Sequence, residues 1–185
     1  MMSDMNILSQ MIKEAALVQK EKEHGKLFVV LNEPQAQDSS ATIRHLPHDA
    51  LVIKVDAFRS PDTIFNGTNG ECKRADYVII SEEKRCILYI EMKRTKDGRN
   101  ETVKQLQGAH CFVRYCQEVG KSFWKKDDFL DNYNNRFISI GRTSIAITSR
   151  ERMSNNKELH DTPDKAMKID CPRYLQYNKL AGAGS

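Results

Sequence analysis

The sequence contains no apolar run approaching the roughly 20 residues that a transmembrane helix needs. Residues 1–26 lack the basic start, apolar centre and small-residue cleavage site of a secretory signal. The five cysteines are scattered, with no C-x-x-C pair and no histidine pair at zinc-finger spacing. These absences argue against a membrane protein, a disulfide framework and a structural zinc site, and they predict a protein of the cytoplasm or the nucleoid.

A strong excess of charge of one sign is also missing. The chain has 29 Lys and Arg residues against 25 Asp and Glu residues, for a formal net charge of +4. This balance permits a polyanionic partner but falls short of the strongly basic composition of a dedicated nucleic-acid binder. With 185 residues, 39% of them hydrophobic, the chain is long enough for one domain with a substantial core.

Hydrophobic periodicity and turn signals predict a mixed sequence of helices and strands. We expect an α/β fold with a central mixed β-sheet flanked by helices. In this single domain we expect residues 1–25 to be the N-terminal helical region, residues 51–149 the core, and residues 150–185 a C-terminal extension and tail. The predicted elements are a helix at 7–22, strands at 27–31 and 51–58, a polar loop at 32–50, a hairpin of strands at 74–80 and 86–93, a helix at 101–119 ended by Gly120, two strands within 136–149, and a loop or mobile helix at 150–165.

The motif Glu-x-Lys occurs three times, but only one copy lies on an apolar strand. That copy is in ILYIEMKR, residues 87–94. Side chains at i and i+2 of a strand share a face, so its glutamate and lysine are expected to project together. The other two copies lie in turn-rich or hairpin-loop sequence, where solvated charges are the ordinary outcome. The three copies are Glu71/Lys73, Glu82/Lys84 and Glu91/Lys93.

A single aspartate, Asp76, interrupts the strand that precedes this motif. Aspartate is unfavourable in strands, so its place immediately before three aliphatic residues requires a reason. If the two strands pair as a hairpin, Asp76 lies opposite Glu91 and Lys93, close enough for the two carboxylates to share one cation. The plain alternative is an emerging strand whose charges form a surface ion pair.

Asp76, the hairpin, Glu91-Met92-Lys93 and the following helix with Gln105 together resemble the PD-(D/E)xK nuclease superfamily. The resemblance covers roughly residues 51–147, with Ala75 in place of the proline that often precedes the aspartate. It implies a restriction-endonuclease-like core and a metal-dependent endonuclease that hydrolyses phosphodiester bonds. DNA is expected before RNA as the substrate, because most members of this kind cut or repair DNA.

The residue types suit this chemistry. Two carboxylates, Asp76 and Glu91, can hold Mg²⁺, for which Mn²⁺ is a possible substitute. The resemblance adds the backbone carbonyl of Met92 as a third oxygen ligand and a glutamate of the first helix, for which Glu14 is the first choice. Lys93 would orient or deprotonate the attacking water and neutralise the phosphate. Three further carboxylates are weaker candidates: Glu21, Glu23 and Asp56.

Substrate contacts are expected around the same motif. In similar nucleases a glutamine at the place of Gln105 contacts the lysine or the substrate. Lys73, Arg74 and Arg94 are further candidates for binding a nucleic-acid backbone. A homodimer or a larger complex is expected from the resemblance, since a small nuclease often cuts one strand per subunit.

Three alternatives remain open at this point. The chain could keep the fold as an inactive nucleic-acid-binding or complex-assembly module, or it could cleave RNA. It could also be a small α/β protein outside the superfamily, with Glu91 and Lys93 paired on an edge strand. An aromatic and basic segment could stack on bases or bind phosphates; its residues are Tyr115, Phe123, Trp124, Lys125, Lys126 and Tyr133.

Overall fold

The computed structural model describes residues 2–33, 40–93, 98–141, 152–153, 159–170 and 174–182. Within these residues the chain forms α-helices and two β-sheets, which confirms the predicted α/β class. No helix among them is long and apolar enough to cross a lipid bilayer. The elements are α1 (Asp4–Met11), β1 (Glu21–Glu23), β2 (Lys26–Asn32), β3 (Ser40–Leu46), β4 (Leu51–Lys54), β5 (Tyr77–Ser81), β6 (Cys86–Met92), α2 (Arg99–Phe123), β7 (Asn134–Gly141), β8 (Arg152–Met153), β9 (Met167–Asp170), β10 (Tyr174–Gln176) and α3 (Tyr177–Ala181).

The central sheet has the strand order β4-β5-β6-β7-β9-β8 and is mixed. β4, β5 and β6 pair antiparallel, which confirms the predicted hairpin, whereas β6, β7 and β9 pair parallel. All seven residues of β6 are buried. A near-continuous apolar strand is what burial on both faces of a sheet requires.

The two faces of the central sheet are covered differently. On one face, Ile87 and Tyr89 of β6 pack with Leu106 and Val113 of α2 and with residues of α1. On the other, Leu88 and its neighbours join residues of the second sheet and of α3 in one core cluster. The second sheet has the order β1-β2-β3-β10. The predicted helices therefore flank one face, and a sheet with a short helix flanks the other.

The helix predicted at residues 7–22 is wrong in its length. α1 ends at Met11, a short 3₁₀ turn spans Glu14–Ala16, and residues 21–23 form β1. The reason is tertiary pairing: Leu17 forms a bridge with Ile53, and the Val18 amide donates to the Val52 carbonyl at 2.9 Å. A backbone that bonds to β4 cannot also close helical turns.

The polar loop predicted at residues 32–50 is also wrong, because it contains β3. Ala41 and Ile43 of this strand are fully buried, while Thr42 between them and Arg44 after them are not. That alternation is the period of a half-buried strand, but the polar residues on both sides of it obscured the pattern.

Other boundaries differ from the predictions. α2 begins two residues before Glu101 and continues past Gly120. Gly120 does not end the helix; it makes room for the Phe129 ring, which would lie 2.1 Å from a Cβ at this position. The strand predicted at 51–58 stops at Lys54 and is followed by a 3₁₀ turn, Val55–Ala57.

The C-terminal part of the chain supplies more of the fold than its sequence indicated. β7 confirms one of the two strands predicted within 136–149, and the other falls in residues 142–149, outside the described residues. In the segment predicted as loop or mobile helix, β8 and a 3₁₀ turn, Pro163–Lys165, are present. β9 then adds to the central sheet and β10 to the second sheet, and neither strand was predicted.

Candidate active site

Asp76 and Glu91 face each other across the hairpin. Tyr77 pairs with Ile90 in the antiparallel register, so the residues one step further, Asp76 and Glu91, are opposite neighbours. Opposed residues of antiparallel strands project from the same face. Asp76 Oδ2 accepts a hydrogen bond from the Met92 amide at 2.7 Å, which fixes its carboxylate against the end of β6. The expected juxtaposition of these carboxylates is confirmed.

Lys93 is held between two acceptors. Its Nζ lies 2.9 Å from Glu91 Oε1 and donates to Gln105 Oε1 of α2 at 2.7 Å. Its backbone amide donates to the Ile140 carbonyl at 2.8 Å, which extends the pairing of β6 with β7 by one residue. The ammonium group is thus fixed by the hairpin on one side and by the helix on the other, and the expected contact between Gln105 and the lysine is present.

Burial perturbs both carboxyl groups. Glu91 is 1% exposed. Its burial raises its pKa, and the neighbouring charge of Asp76 raises that pKa further, while Lys93 opposes the shift. Burial likewise raises the pKa of Asp76, against the hydrogen bond from the Met92 amide. Two desolvated carboxyls beside one ammonium group make a site that favours an additional positive charge.

The donor set fits a hard divalent cation. Glu91 Oε2 is buried and has no hydrogen-bond partner in the described part of the structure. No cluster of three or more His, Cys, Asp or Glu side chains suited to a metal occurs among the described residues. Mg²⁺ commonly binds through one or two carboxylates and keeps several waters, so Asp76 and Glu91 are a sufficient protein contribution. The part of the Met92 carbonyl stays a prediction.

The weaker carboxylate candidates do not complete a three-residue cluster with this pair. Glu14 is exposed in its 3₁₀ turn and is not in the middle of a helix, because α1 ends before it. Glu21 and Glu23 lie exposed on β1, and Glu23 forms an ion pair with Arg44 at 3.0 Å. Asp56 lies close enough to raise the pKa of Asp76, but its Oδ1 is 3.9 Å from Lys54 Nζ.

Two of the three predicted basic residues contact other groups of the protein. Lys73 forms an ion pair with Glu101 of α2. Arg74 donates to the Phe58 carbonyl at 2.5 Å and lies over the Phe58 ring, 4.6 Å from its centroid. Arg94 lies outside the described residues. Substrate binding by these three side chains stays a prediction.

Some residues of the aromatic and basic segment make contacts within the protein, and others are exposed. The Tyr133 hydroxyl donates to buried Asp4 at 2.8 Å, and Lys126 forms an ion pair with the same carboxylate. Trp124 donates to Gln10 of α1 at 3.1 Å. These contacts attach α1 to the segment that follows α2, whereas Tyr115 and Phe123 are 70% and 77% exposed.

A cleft next to Lys93 contains residues that sequence reasoning missed. It has a volume of about 260 Å³ and includes Ser139 and Gly141 of β7, Lys168 and Asp170 of β9, and Arg99 at the start of α2. Their grouping depends on the parallel register of β6, β7 and β9. No local pattern in the sequence predicts β9, and without β9 the cleft cannot be predicted.

The chain was compared with protein-family models, with curated proteins and with solved structures. None of the three comparisons found a match.

Proposed function

We propose that this chain is a metal-dependent nuclease with a restriction-endonuclease-like core that hydrolyses phosphodiester bonds, with DNA as its substrate before RNA. The observation that carries the proposal is the grouping of Asp76, Glu91 and Lys93 on one face of the hairpin, with Glu91 Oε2 buried and without a hydrogen-bond partner among the described residues. A purely structural ion pair would not require a second, partly buried carboxylate beside it, because desolvating an extra charge costs stability.

Asp76 and Glu91 are the side chains that would hold Mg²⁺ or Mn²⁺. When bound, such an ion supplies Lewis acidity toward a phosphate oxygen and toward water. The protein's own contribution is to bury Glu91 and to fix both carboxylates in position through the β5–β6 pairing and the Met92 amide.

Lys93 would position the nucleophile and balance charge. Hydrolysis forms a bond between a water oxygen and phosphorus, with loss of a proton from that water, and breaks the bond from phosphorus to the leaving sugar oxygen, which takes up a proton. Negative charge grows on the phosphate oxygens during this exchange, and a fixed ammonium group stabilises it. Gln105 is a positioning residue, because it contacts Lys93 Nζ at 2.7 Å.

The test is cleavage of plasmid, linear duplex DNA, single-stranded DNA and RNA with Mg²⁺, with Mn²⁺ and with EDTA. We expect cutting that depends on the metal and that falls by a factor of about 100 or more in Glu91→Gln and in Lys93→Ala. The matched controls are Glu82→Gln and Lys84→Ala, which alter the Glu-x-Lys copy in the hairpin turn and should cut like the wild type.

The outcomes separate the classes of function. Cutting that survives both site substitutions would place the activity elsewhere and contradict the proposal. Binding of nucleic acid without cutting under any metal would instead favour the inactive binding module. A homodimer or larger complex would be compatible with the same chemistry and can be measured by light scattering on the same preparations.

A further inference from the structure

The cleft beside Lys93 opens at the carboxyl ends of three parallel strands. Lys93 follows β6, Gly141 ends β7 and Asp170 ends β9. Ligands of open α/β sheets bind in the crevice outside the carboxyl ends of the strands. The Asp170 carboxylate lies close to the β7 backbone at Gly141, where a Cβ would be 2.9 Å from Asp170 Oδ1.

The strand register connects this cleft to the carboxylate pair. Glu91 pairs with Ser139, and Ser139 pairs with Lys168, so these three residues form one row across β6, β7 and β9. Residues paired across parallel strands share a face, and neighbouring strands lie about 4.8 Å apart. Lys168 therefore starts about 10 Å from Glu91 on the same face of the sheet, and Asp76 extends the row on the other side.

The charges that border the cleft suit an anion. Lys93, Arg99 and Lys168 contribute three cationic groups against the two carboxylates of Asp164 and Asp170, and Ser139 contributes a hydroxyl. Arg99 uses one nitrogen to donate to the Asp164 carbonyl at 2.9 Å, which leaves further donors of a guanidinium group that has five N–H groups. Among the described residues Lys168 has no ion pair within 4.0 Å.

The size of the cleft limits what it can take. A volume of about 260 Å³ lies below the roughly 300–1,000 Å³ of pockets that enclose a drug-sized ligand. It suits one phosphate with part of its sugar, and it has no stacked aromatic pair for a base among its described residues.

We propose that this cleft binds the phosphate next to the cleaved one on the same DNA strand, with Lys168 and Arg99 as its principal cationic contacts. The inference rests on the proposed nuclease function and adds the place and direction of the strand: from the carboxylate pair across β7 toward β9. Asp170 borders the same cleft and opposes the bound charge.

The test uses two substitutions that change charge in opposite directions. Lys168→Gln removes a cation, Asp170→Asn removes an anion, and Lys165→Gln is the matched control, since Lys165 is an exposed lysine three residues from Lys168 that does not border the cleft. A fluorescein-labelled DNA oligonucleotide is titrated with each full-length variant in EDTA at several salt concentrations, and cleavage of the same oligonucleotide is measured with Mg²⁺.

We expect Lys168→Gln to raise the Kd and KM about 5- to 10-fold with little change in kcat, and to reduce the salt slope of binding by about 1. Asp170→Asn should lower the Kd, and Lys165→Gln should behave like the wild type. Lys168→Arg should retain binding, and thermal unfolding of each variant shows whether its fold is intact.

The results distinguish this inference from the function on which it rests. If the wild type cuts DNA and Lys168→Gln binds and cuts like Lys165→Gln, the inference is overturned and the nuclease proposal stands. If no metal produces cutting but binding still depends on Lys168, the nuclease proposal fails and the cleft remains a phosphate-binding site.

Discussion

At the scale of single residues, the notable feature is an imbalance of buried charge. Asp76 and Glu91 supply two carboxyls, and Lys93 supplies one ammonium group. Buried carboxyls without enough compensating charge become protonated or acquire a cation. The raised pKa values of both groups indicate that the site favours either outcome over two bare charges.

Gln105 gives a test of how Lys93 is held. Gln105→Ala removes the acceptor 2.7 Å from Lys93 Nζ and leaves the ion pair with Glu91 as its contact from the hairpin. We expect kcat to fall about 10-fold with little change in KM, because a misoriented ammonium group weakens transition-state stabilisation more than substrate binding. Steady-state kinetics on one oligonucleotide measures both constants.

The control is Gln107→Ala, which shortens an exposed glutamine two residues further along the same helix. Gln105→Glu retains an acceptor at the original position and should recover most of the rate. Equal loss in Gln105→Ala and Gln107→Ala would show that the contact with Lys93 has no part in catalysis.

The carboxylate pair and Lys93 could be predicted because their grouping is local. A hairpin with a short turn fixes the register, so the positions of Asp76 and Glu91 follow from the sequence between them. Glu14 could not be placed this way, since its position depends on where α1 ends and on how Leu17 pairs with Ile53. Lys168 depends on a crossover from β7 that no local pattern reveals.

At the scale of elements, α2 is the support of the site. Gly108 lies one turn beyond Gln105, and a Cβ there would be 1.7 Å from the Lys73 carbonyl oxygen. This helix therefore approaches the backbone just before Asp76 more closely than any side chain would allow. The close approach puts Gln105 within reach of Lys93.

Gly108→Ala should accordingly destabilise the protein and separate the helix from the site. We expect a loss of about 2–4 kcal/mol in the free energy of unfolding, because overpacking against backbone cannot be relieved by a rotamer change. In the fraction that remains folded, the rate should fall as it does in Gln105→Ala. Denaturant unfolding with Gln107→Ala as the control measures the first effect, and unchanged stability of Gly108→Ala would contradict the packing that we describe.

The same elements show why the sequence predicted the middle of the fold better than its ends. β5 and β6 are near-continuous apolar runs and α2 has a long apolar pattern of helical period, and tertiary context agrees with all three. Residues 13–18 have helical spacing, but pairing with β4 overrides it. β9 is four residues long, too short for its period to be recognised without its partner β7.

At the scale of the whole molecule, the site should make the metal-free protein less stable as pH rises. Burial raises the folded-state pKa of Glu91 to about 8 and that of Asp76 to about 6, above their ordinary values of 4.5 and 3.8. Between the ordinary and the raised value, each group holds its proton in the folded protein and loses it on unfolding. Their stabilisation is therefore fully present below the ordinary pKa and is lost as pH rises through the raised one.

Thermal or denaturant unfolding in EDTA between pH 5 and pH 8 measures this loss. We expect a slope of up to about 1.4 kcal/mol per pH unit for each titrating carboxyl. Glu91→Gln should flatten the upper part of that slope and stabilise the metal-free protein at pH 8. Glu71→Gln is the control: because the pKa of the Glu71 carboxyl is lowered, its removal should leave the slope unchanged. Mg²⁺ should raise the stability of the wild type at pH 8, because a ligand that binds only the folded state stabilises it. Mg²⁺ should have little effect on Glu91→Gln, which lacks one of the two carboxylates. A slope that is identical in the wild type and in Glu91→Gln would show that the buried carboxyl does not titrate in this range, and a melting temperature insensitive to Mg²⁺ would contradict the metal site itself.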